Sequence, residues 1–486
     1  MTLVALVAGI DIGTGGVRVT VCDAAGVVWA EAEQALHTAR RGALLEQDPA
    51  AWRVAAATCL RQVTEQVRDR ASIRGIAVAA TSGTVCLLDE RGAPLRPALL
   101  YADSRAEVEA AYLATHATEL QARLGYRFHS SWGLPKLLWL AHHEPALFAQ
   151  TRYLAHAGDT LTGWLCGDYA VTDATQALKT GYDLVADRWP DLINELGLPL
   201  AKLPRVVSAG QPVGTVTADA AAATGLPVGA TVVAGMTDSC AAQVAAGATR
   251  PGQWLSVLGT TLVFKGVSRE LLRDPFGRLY CHRHPAGFWL PGAASNVGGE
   301  ALRRWPAEQL PALDHAAADL TPTNLTIYPL RRAGERFPFI RPSAQGFEVG
   351  TPASDEERYA ATLEGVAYIE RLGYALIAEL AGATEPTLRT AGGGARSPVW
   401  LQIRADVLQR PLAVASATGA SFGAAVLAAG VTLHADLDSA TAAMAHTSAT
   451  VLPRPAYAER YDGGYQRFLA ACVERGYLLG PRQRLL

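Results

Sequence analysis

The sequence predicts an α/β protein of two similar domains, and three observations carry that expectation. Short apolar runs at residues 3–10, 73–80 and 231–234 read as buried strands, and they are separated by longer segments of helical pattern. The chain has 486 residues and is 50% hydrophobic, which is too much for one ordinary core. A unit of strand, Gly-Thr turn and strand at residues 10–21 returns at 254–264, close to halfway, as a duplication would place it. The boundary falls near 247–252, giving domains 1–248 and 249–486.

Each element follows from local chemistry. Residues 3–10 run straight into Asp11 and Gly13, so the opening reads as a first strand and not as a signal peptide. Gly13, Thr14, Gly15 and Gly16 form a turn, after which Val17, Val19 and Val21 alternate with Arg18 and Thr20 at strand period. The glycine turn thus joins strand to strand, whereas a dinucleotide fingerprint or a P-loop must open a helix. Both readings fall on that context. A turn at 23–26 leads to a β-prone stretch at 27–29, a helix covers about 49–70, and the strand 73–80 ends at Thr81, Ser82 and Gly83. A strand at 84–88 and a turn at 90–92 lead on to Asp103 and Arg105. Residues 106–201 are mostly helical in pattern, with Lys136 and Trp139 on one helix, and elaborate the core sheet. The strand 231–234 meets Gly235-Met236-Thr237-Asp238, and small residues beyond it suit a helix.

In the second half, strands at 254–258 and 262–264 flank Gly259, Thr260 and Thr261. Residues 291–299 read as another turn rich in small residues, and 355–381 as a helix. A strand at 388–391 ends at Gly392, Gly393 and Gly394, where Ser397 and Pro398 open a helix. The last helix spans 455–479.

A formal charge of −2 and the lack of any block of like charges exclude a nucleic-acid arm or a membrane patch. No apolar stretch reaches transmembrane length uninterrupted. The partners expected are small molecules, with no nucleic acid and no membrane; a monomer and a homodimer both remain open. The seven cysteines are scattered without C-x-x-C spacing, which fits a reducing cytosol and a cytoplasmic protein.

The chemistry these residues can support is phosphoryl transfer to an alcohol, which needs donors around phosphates, oxygen ligands for magnesium and a base at the attacking hydroxyl. Asp11, at a strand end beside a flexible turn, can bind magnesium or simply cap its turn. Thr14, Gly15 and Gly16 can offer backbone N–H groups to a phosphate, or be an ordinary hairpin; Gly259, Thr260 and Thr261 offer the same choice. Asp238 stands where a helix N-terminus keeps it ionised and can accept a hydroxyl proton, or it is a helix cap. Gly392, Gly393 and Gly394 can let a nucleotide lie against the backbone, with Trp400 flanking the base, or form only a loop. Thr81, Ser82, Asp103 and Arg105 can meet sugar hydroxyls, with a surface salt bridge as the alternative for Arg105. His142 and His143 point apart on a helix, and His282 and His284 lack an evident partner ligand, so neither pair reads as a metal site.

Taken in order, Asp11-Ile12-Gly13-Thr14, the Lys136 and Trp139 region, Gly235-Met236-Thr237-Asp238, Gly259-Thr260-Thr261, Glu364-Gly365-Val366 and Gly392-Gly393-Gly394 resemble the FGGY carbohydrate kinases. These are a branch of the fold shared by actin, hexokinase and the heat-shock chaperone ATPase domain. The resemblance implies a two-domain actin-like ATPase (ribonuclease H-like) fold, each domain a mixed sheet flanked by helices, with a cleft between them. It implies sugar mainly on the first domain and ATP mainly on the second. It makes Asp238 the base, assigns Asp11 and Thr14 to magnesium and phosphate and Gly259 and Thr260 to phosphate, and gives Gly392–Gly394 to the nucleotide.

Thr81-Ser82-Gly83-Thr84-Val85, Ser131-Trp132-Gly133-Leu134-Pro135-Lys136, Ala177-Leu178-Lys179-Thr180-Gly181-Tyr182 and Gly334-Glu335-Arg336-Phe337-Pro338 look like the xylulokinase-like D-ribulose kinases of cyanobacteria and plant plastids. Typical bacterial xylulokinases carry Gln-Met-His after the strand that here ends at Thr81. The implied reaction is ATP- and Mg2+-dependent phosphorylation of D-ribulose to D-ribulose 5-phosphate, with Ser82, Asp11 and Asp238 nearest the sugar. D-Xylulose is the main rival substrate, ahead of other polyols. An actin-like or chaperone-like ATPase is the rival of another class, and no appended peptide-binding module is evident for it.

Overall fold

The computed structural model describes residues 4–67, 69–382 and 384–478. They divide into two compact units. The first takes the described residues up to Thr249 together with His282–Phe288 and Ala417–His446; the second takes Arg250–Cys281, Trp289–Ser416 and the described residues from Thr447 onward. Two segments of the second half thus pack with the first unit, so the units are not two continuous stretches of chain.

In the first unit, β1 (Leu6–Ile12) is buried at every position, and apart from Asp11 it carries only apolar residues and glycine. This is the pattern of a strand covered on both faces. The turn at 13–15 folds it onto β2 (Gly16–Asp23), antiparallel, and β2 pairs antiparallel with β3 (Val28–Ala35), which runs well beyond the stretch expected at 27–29. Helix α1 (Pro49–Gln66) begins where the Asp48 carboxylate accepts from Ala50 N. It returns the chain to β4 (Ile73–Ala80), parallel to β1 with Ile12 opposite Ala80. The elaboration that follows includes α2 (Gly133–His143), α3 (Ala157–Cys166), β5 (Val171–Asp173) and the single turn α4 (Ala174–Ala177). The edge strand β6 (Pro212–Thr215) then pairs antiparallel with β7 (Thr231–Thr237), which is parallel to β4 with Thr237 opposite Ala80. Helix α5 (Asp238–Ala245) follows directly. The sheet order is β6-β7-β4-β1-β2-β3.

The second unit repeats this plan. β8 (Trp254–Leu258) and β9 (Leu262–Gly266) form an antiparallel hairpin around the 259–261 turn. β10 (Leu279–Arg283) and β11 (Trp289–Ser295) extend the sheet on the β9 side. Helices α6 (Leu310–Leu320) and α7 (Asp355–Ala381) precede β12 (Leu388–Ala391), which is parallel to β8. Helix α8 (Pro398–Leu408) leads to β13 (Leu412–Ala415), parallel to β12, and β14 (Thr447–Val451) closes the sheet antiparallel to β13. The order is β10-β11-β9-β8-β12-β13-β14. From β11 to β14 the pairings run antiparallel, antiparallel, parallel, parallel, antiparallel, as they do from β3 to β6 in the first unit. The short Gly-Thr echo in the sequence is therefore a repeat of whole sheets.

Residues 291–299 differ from expectation, because β11 continues through Ser295. Its small residues Gly292, Ala293 and Ala294 pair with Lys265, Phe264 and Val263 of β9, so smallness there serves cross-strand packing and not a turn. The final helix runs Ala458–Glu474, and Leu479, the end of the expected span, lies outside the described residues.

Close approach fixes one residue of β1. A Cβ on Gly9 of β1 would lie 1.9 Å from Ser421 O and 2.4 Å from Ala425 N of the helix Ala420–Thr432, which packs on β1. Ser421 also hydrogen bonds Thr20 of β2 at 2.8 Å between hydroxyls. Backbone cannot yield as a side chain can, so Gly9→Ala is expected to cost about 1–3 kcal/mol in urea unfolding. Gly15→Ala, with nothing within 4 Å of the added carbon, is expected to leave the unfolding midpoint unchanged.

Candidate active site

Parallel pairing of β1, β4 and β7 aligns three carboxyl ends, because Ile12 and Thr237 both face Ala80. Asp11 at the end of β1, Thr81 and Ser82 just past β4, and Asp238 just past β7 are thereby brought to one edge of the first unit's sheet. Open α/β sheets bind ligands at such an edge. Thr81 N donates to Ile12 O at 3.2 Å, so the β1 and β4 ends are tied together, and Ser82 beyond them is buried.

Asp11 is only 7% exposed, and its Oδ1 is buried without a hydrogen-bond partner among the described residues. Oδ2 lies 3.7 Å from Arg18 Nη1. Burial pushes the Asp11 carboxyl up from its ordinary 3.8 to about 7; the Asp238 charge adds to the rise and Arg18 opposes it. An orphaned, desolvated carboxylate oxygen beside a second carboxylate is a fitting ligand for a hard cation.

Asp238 is not the cap of α5. Thr237 occupies that position with extended backbone and makes no side-chain cap bond, while Asp238 lies in the first helical turn. Its Oδ1 accepts from the neighbouring Ser239 N at 2.6 Å. At this end of a helix the backbone dipole favours negative charge, and the half-buried carboxylate lies there.

Thr14, half-buried, and Gly15, exposed, form the tip of the β1–β2 hairpin. The Thr14 carbonyl accepts from Gln47 Nε2 at 2.8 Å, which braces the turn. A Cβ on Gly15 would meet nothing, leaving its face open to a ligand.

Asp103 and Arg105 bind each other. Asp103 is 0% exposed; its Oδ2 accepts from Leu45 N at 2.7 Å and Arg105 Nη2 at 2.8 Å, and its Oδ1 from Arg105 Nε at 2.8 Å. Arg105 reaches on to Glu46 and stacks over Trp139 at 4.9 Å. Both side chains brace the wall, and the pair is buried, not the surface salt bridge considered for Arg105. Lys136 belongs to the same wall: it is buried, donates to the carbonyls of Ser130, Trp132 and Tyr101, and is pushed down to about 7 by burial, with Lys179 and Arg105 adding to the effect.

In the second unit, Gly259, Thr260, Gly393, Gly394 and Trp400 line one cavity of about 1100 Å³. The 259–261 turn is zipped to the next loop by Gly299 N donating to Gly259 O at 2.8 Å and Glu300 N to Thr260 O at 3.0 Å. The three glycines at 392–394 have different duties. Gly392 holds φ at +91° with its missing Cβ 2.6 Å from Leu258 O, so it serves the fold, whereas a Cβ on Gly393 would meet nothing. Trp400 is 2% exposed and donates its indole N–H to Leu363 O, so it forms the cavity's buried wall and not a free flanking plane. Glu300, Arg303, Asp314, His315 and Arg396 also line this cavity and were missed in the sequence. The Gly298-Gly299 pair was the available signal, since a Cβ on either would strike the 259–261 turn within 2.7 Å.

Against known families, residues 6–245 match the N-terminal domain and 255–431 the C-terminal domain of the FGGY family of carbohydrate kinases. The chain belongs to that family. It is an ATP-dependent carbohydrate kinase with the two-domain actin-like fold. It is 30% identical over 434 residues to the xylulose kinase of Escherichia coli, covering 86% of this chain and 89% of that protein. It is 31% identical over 445 residues to the xylulose kinase of Klebsiella pneumoniae, covering 88% and 90%. The solved structure of xylulose kinase from Rhodospirillum rubrum superposes with a TM-score of 0.87 at 31% identity, covering 96% of this chain and 98% of that one. Among the described residues of the kinase, no helix is long and apolar enough to cross a membrane, and none of the seven cysteines forms a disulfide.

Asp11 gives the free kinase a specific pH dependence. Its folded carboxyl is raised above the unfolded value, so its contribution to stability is complete below pH 3.8 and is lost as pH rises through about 7. Asp11→Asn is therefore expected to match the wild type in urea unfolding near pH 4 and to exceed it by roughly 2–4 kcal/mol at pH 8.

Proposed function

We propose that this kinase transfers the γ-phosphoryl group of ATP to the terminal hydroxyl of a ketopentose, with D-ribulose giving D-ribulose 5-phosphate. The observation that carries the reading is the alignment of Asp11 and Asp238 at the carboxyl ends of two strands that flank β4 in one sheet. Asp238 accepts the hydroxyl proton as the sugar oxygen attacks phosphorus. Ser82 contacts the sugar. Asp11, whose Oδ1 is left without a partner, would hold the magnesium ion, with Thr14 and Gly15 beside the phosphates. Bound there, magnesium would neutralise phosphate charge.

Gly259 and Thr260 meet phosphate, and Gly393 and Gly394 let the nucleotide lie against the backbone. This gives the glycine triplet a discriminating test. Gly393→Ala is expected to fold normally and raise the KM for ATP by about tenfold, while Gly392→Ala, strained at positive φ, is expected to lose folded protein.

D-Ribulose is favoured by the small Ser82-Gly83 pair in place of Gln-Met-His. D-Xylulose is the second reading, favoured by the names of the relatives. The two sugars differ at one stereocentre, which a single well-placed hydrogen bond can discriminate. Initial-rate ADP formation across D-ribulose, D-xylulose, L-ribulose, ribitol, glycerol and a no-sugar control decides between them. The highest kcat/KM is expected with D-ribulose; a D-xylulose preference keeps the mechanism and replaces the substrate. Asp238→Asn is expected to retain nucleotide binding and lose at least about a thousandfold in sugar-dependent turnover, and undiminished turnover would remove the base assignment.

A further inference from the structure

The single turn α4 carries two buried side chains that reach two of the three strand ends at this edge. Thr175 is 0% exposed and Gln176 is 1% exposed. Thr175 Oγ1 donates to Asp173 Oδ1 at 2.5 Å and accepts from Thr237 N at 2.8 Å. A threonine hydroxyl has one proton. With that proton on Asp173, the oxygen presents only lone pairs to the Thr237 amide. Asp173 Oδ1 also accepts from Thr175 N at 2.8 Å and Gln176 N at 3.0 Å, so the direction of the hydroxyl is fixed by a turn that is itself tied down.

The need for this bond lies in the sheet. β7 shifts register against β4 between Val233 and Met236. On its other side, β6 and the residues just before it partner β7 only as far as Ala234. The last residues of β7 therefore run past their neighbouring strand, and Thr175 supplies the acceptor that a strand would have given. Thr237 is the residue immediately before Asp238. Gln176 does the corresponding work on β4: its Nε2 donates to Ala80 O at 2.9 Å, and Ala80 leads into Thr81 and Ser82. Its Oε1 is buried with no hydrogen-bond partner among the described residues, so the amide is held through the Ala80 bond.

We propose that Thr175 and Gln176 are positioning residues for phosphoryl transfer, Thr175 fixing the backbone from which Asp238 projects and Gln176 fixing the strand end that carries Ser82. This rests on Asp238 as base and Ser82 as sugar contact. The two side chains act on different kinetic constants. Displacing the base weakens an interaction made in the transition state and lowers kcat, whereas loosening the Ser82 end weakens sugar binding and raises KM.

Steady-state kinetics on Thr175→Val, Thr175→Ser, Gln176→Met and Asp238→Asn test it, each variant checked for folding by thermal melt. Thr175→Val is expected to lower kcat by about 10–100-fold with the KM for ATP unchanged, and Thr175→Ser, which keeps the hydroxyl, to restore most of it. Gln176→Met is expected to raise the sugar KM by about tenfold with kcat nearly unchanged. Wild-type kcat in Thr175→Val, equal impairment in Thr175→Val and Thr175→Ser, or an unchanged sugar KM in Gln176→Met overturns the respective half. If Thr175→Val does not fold, Thr175→Ala against Thr175→Ser makes the same comparison. Full turnover in Asp238→Asn would remove the base reading and the Thr175 half with it. Loss of turnover in Asp238→Asn beside an unimpaired Thr175→Val would remove the Thr175 half alone.

Discussion

The arrangement depends on one constraint: three parallel strands that end in register. With β4 between β1 and β7, a one-residue slip of either neighbour would move Asp11 or Asp238 about 3.3 Å along the strand and turn its side chain to the other face. The register is held by core packing, with Gly9 letting the helix Ala420–Thr432 press onto β1, and by the hydrogen bonds that close the strand ends. Placing a buried carboxylate at such an end is costly in the free protein, which is why Asp11 resists ionisation. A site that keeps this cost in its free form is organised for a positively charged ligand.

The second unit solves a different problem with the same sheet. Its strand ends carry backbone in place of charge: the 259–261 turn, the 297–300 loop laid against it, and Gly393 with an open face. Repeated pairings with different end residues give one unit its carboxylates and the other a cavity lined by glycines, hydroxyls and both signs of charge. The fold is thereby duplicated while the chemistry is divided between the copies.

Much of this was legible in the sequence because it is local. Strands at 73–80, 254–258 and 388–391 and the helix at 355–381 were bounded correctly, since an apolar run ending in glycine or a serine before proline states its own limits. The segment 291–299 misled, because small residues signal a turn and a crowded strand alike. The surroundings of Asp103, Arg105 and Trp400 were illegible for another reason: a polar or aromatic residue beside a motif looks available until its partners are known. Those partners, Leu45, Glu46 and Leu363, lie tens of residues away.

The sequence by itself determined the alternation of strands and helices, the two-domain plan, the family and the short list of acidic and glycine-rich positions, since each is written in neighbouring residues and in their order. The tertiary structure alone decided which of those positions present free atoms. Asp11 keeps an unpaired oxygen while Asp103 has none, Gly393 is open while Gly392 is locked against Leu258, and Thr175 reaches Thr237 across 62 residues of chain. The physical reason is that hydrogen-bond capacity is finite: which atoms remain for a ligand is settled only after distant parts of the chain have taken theirs.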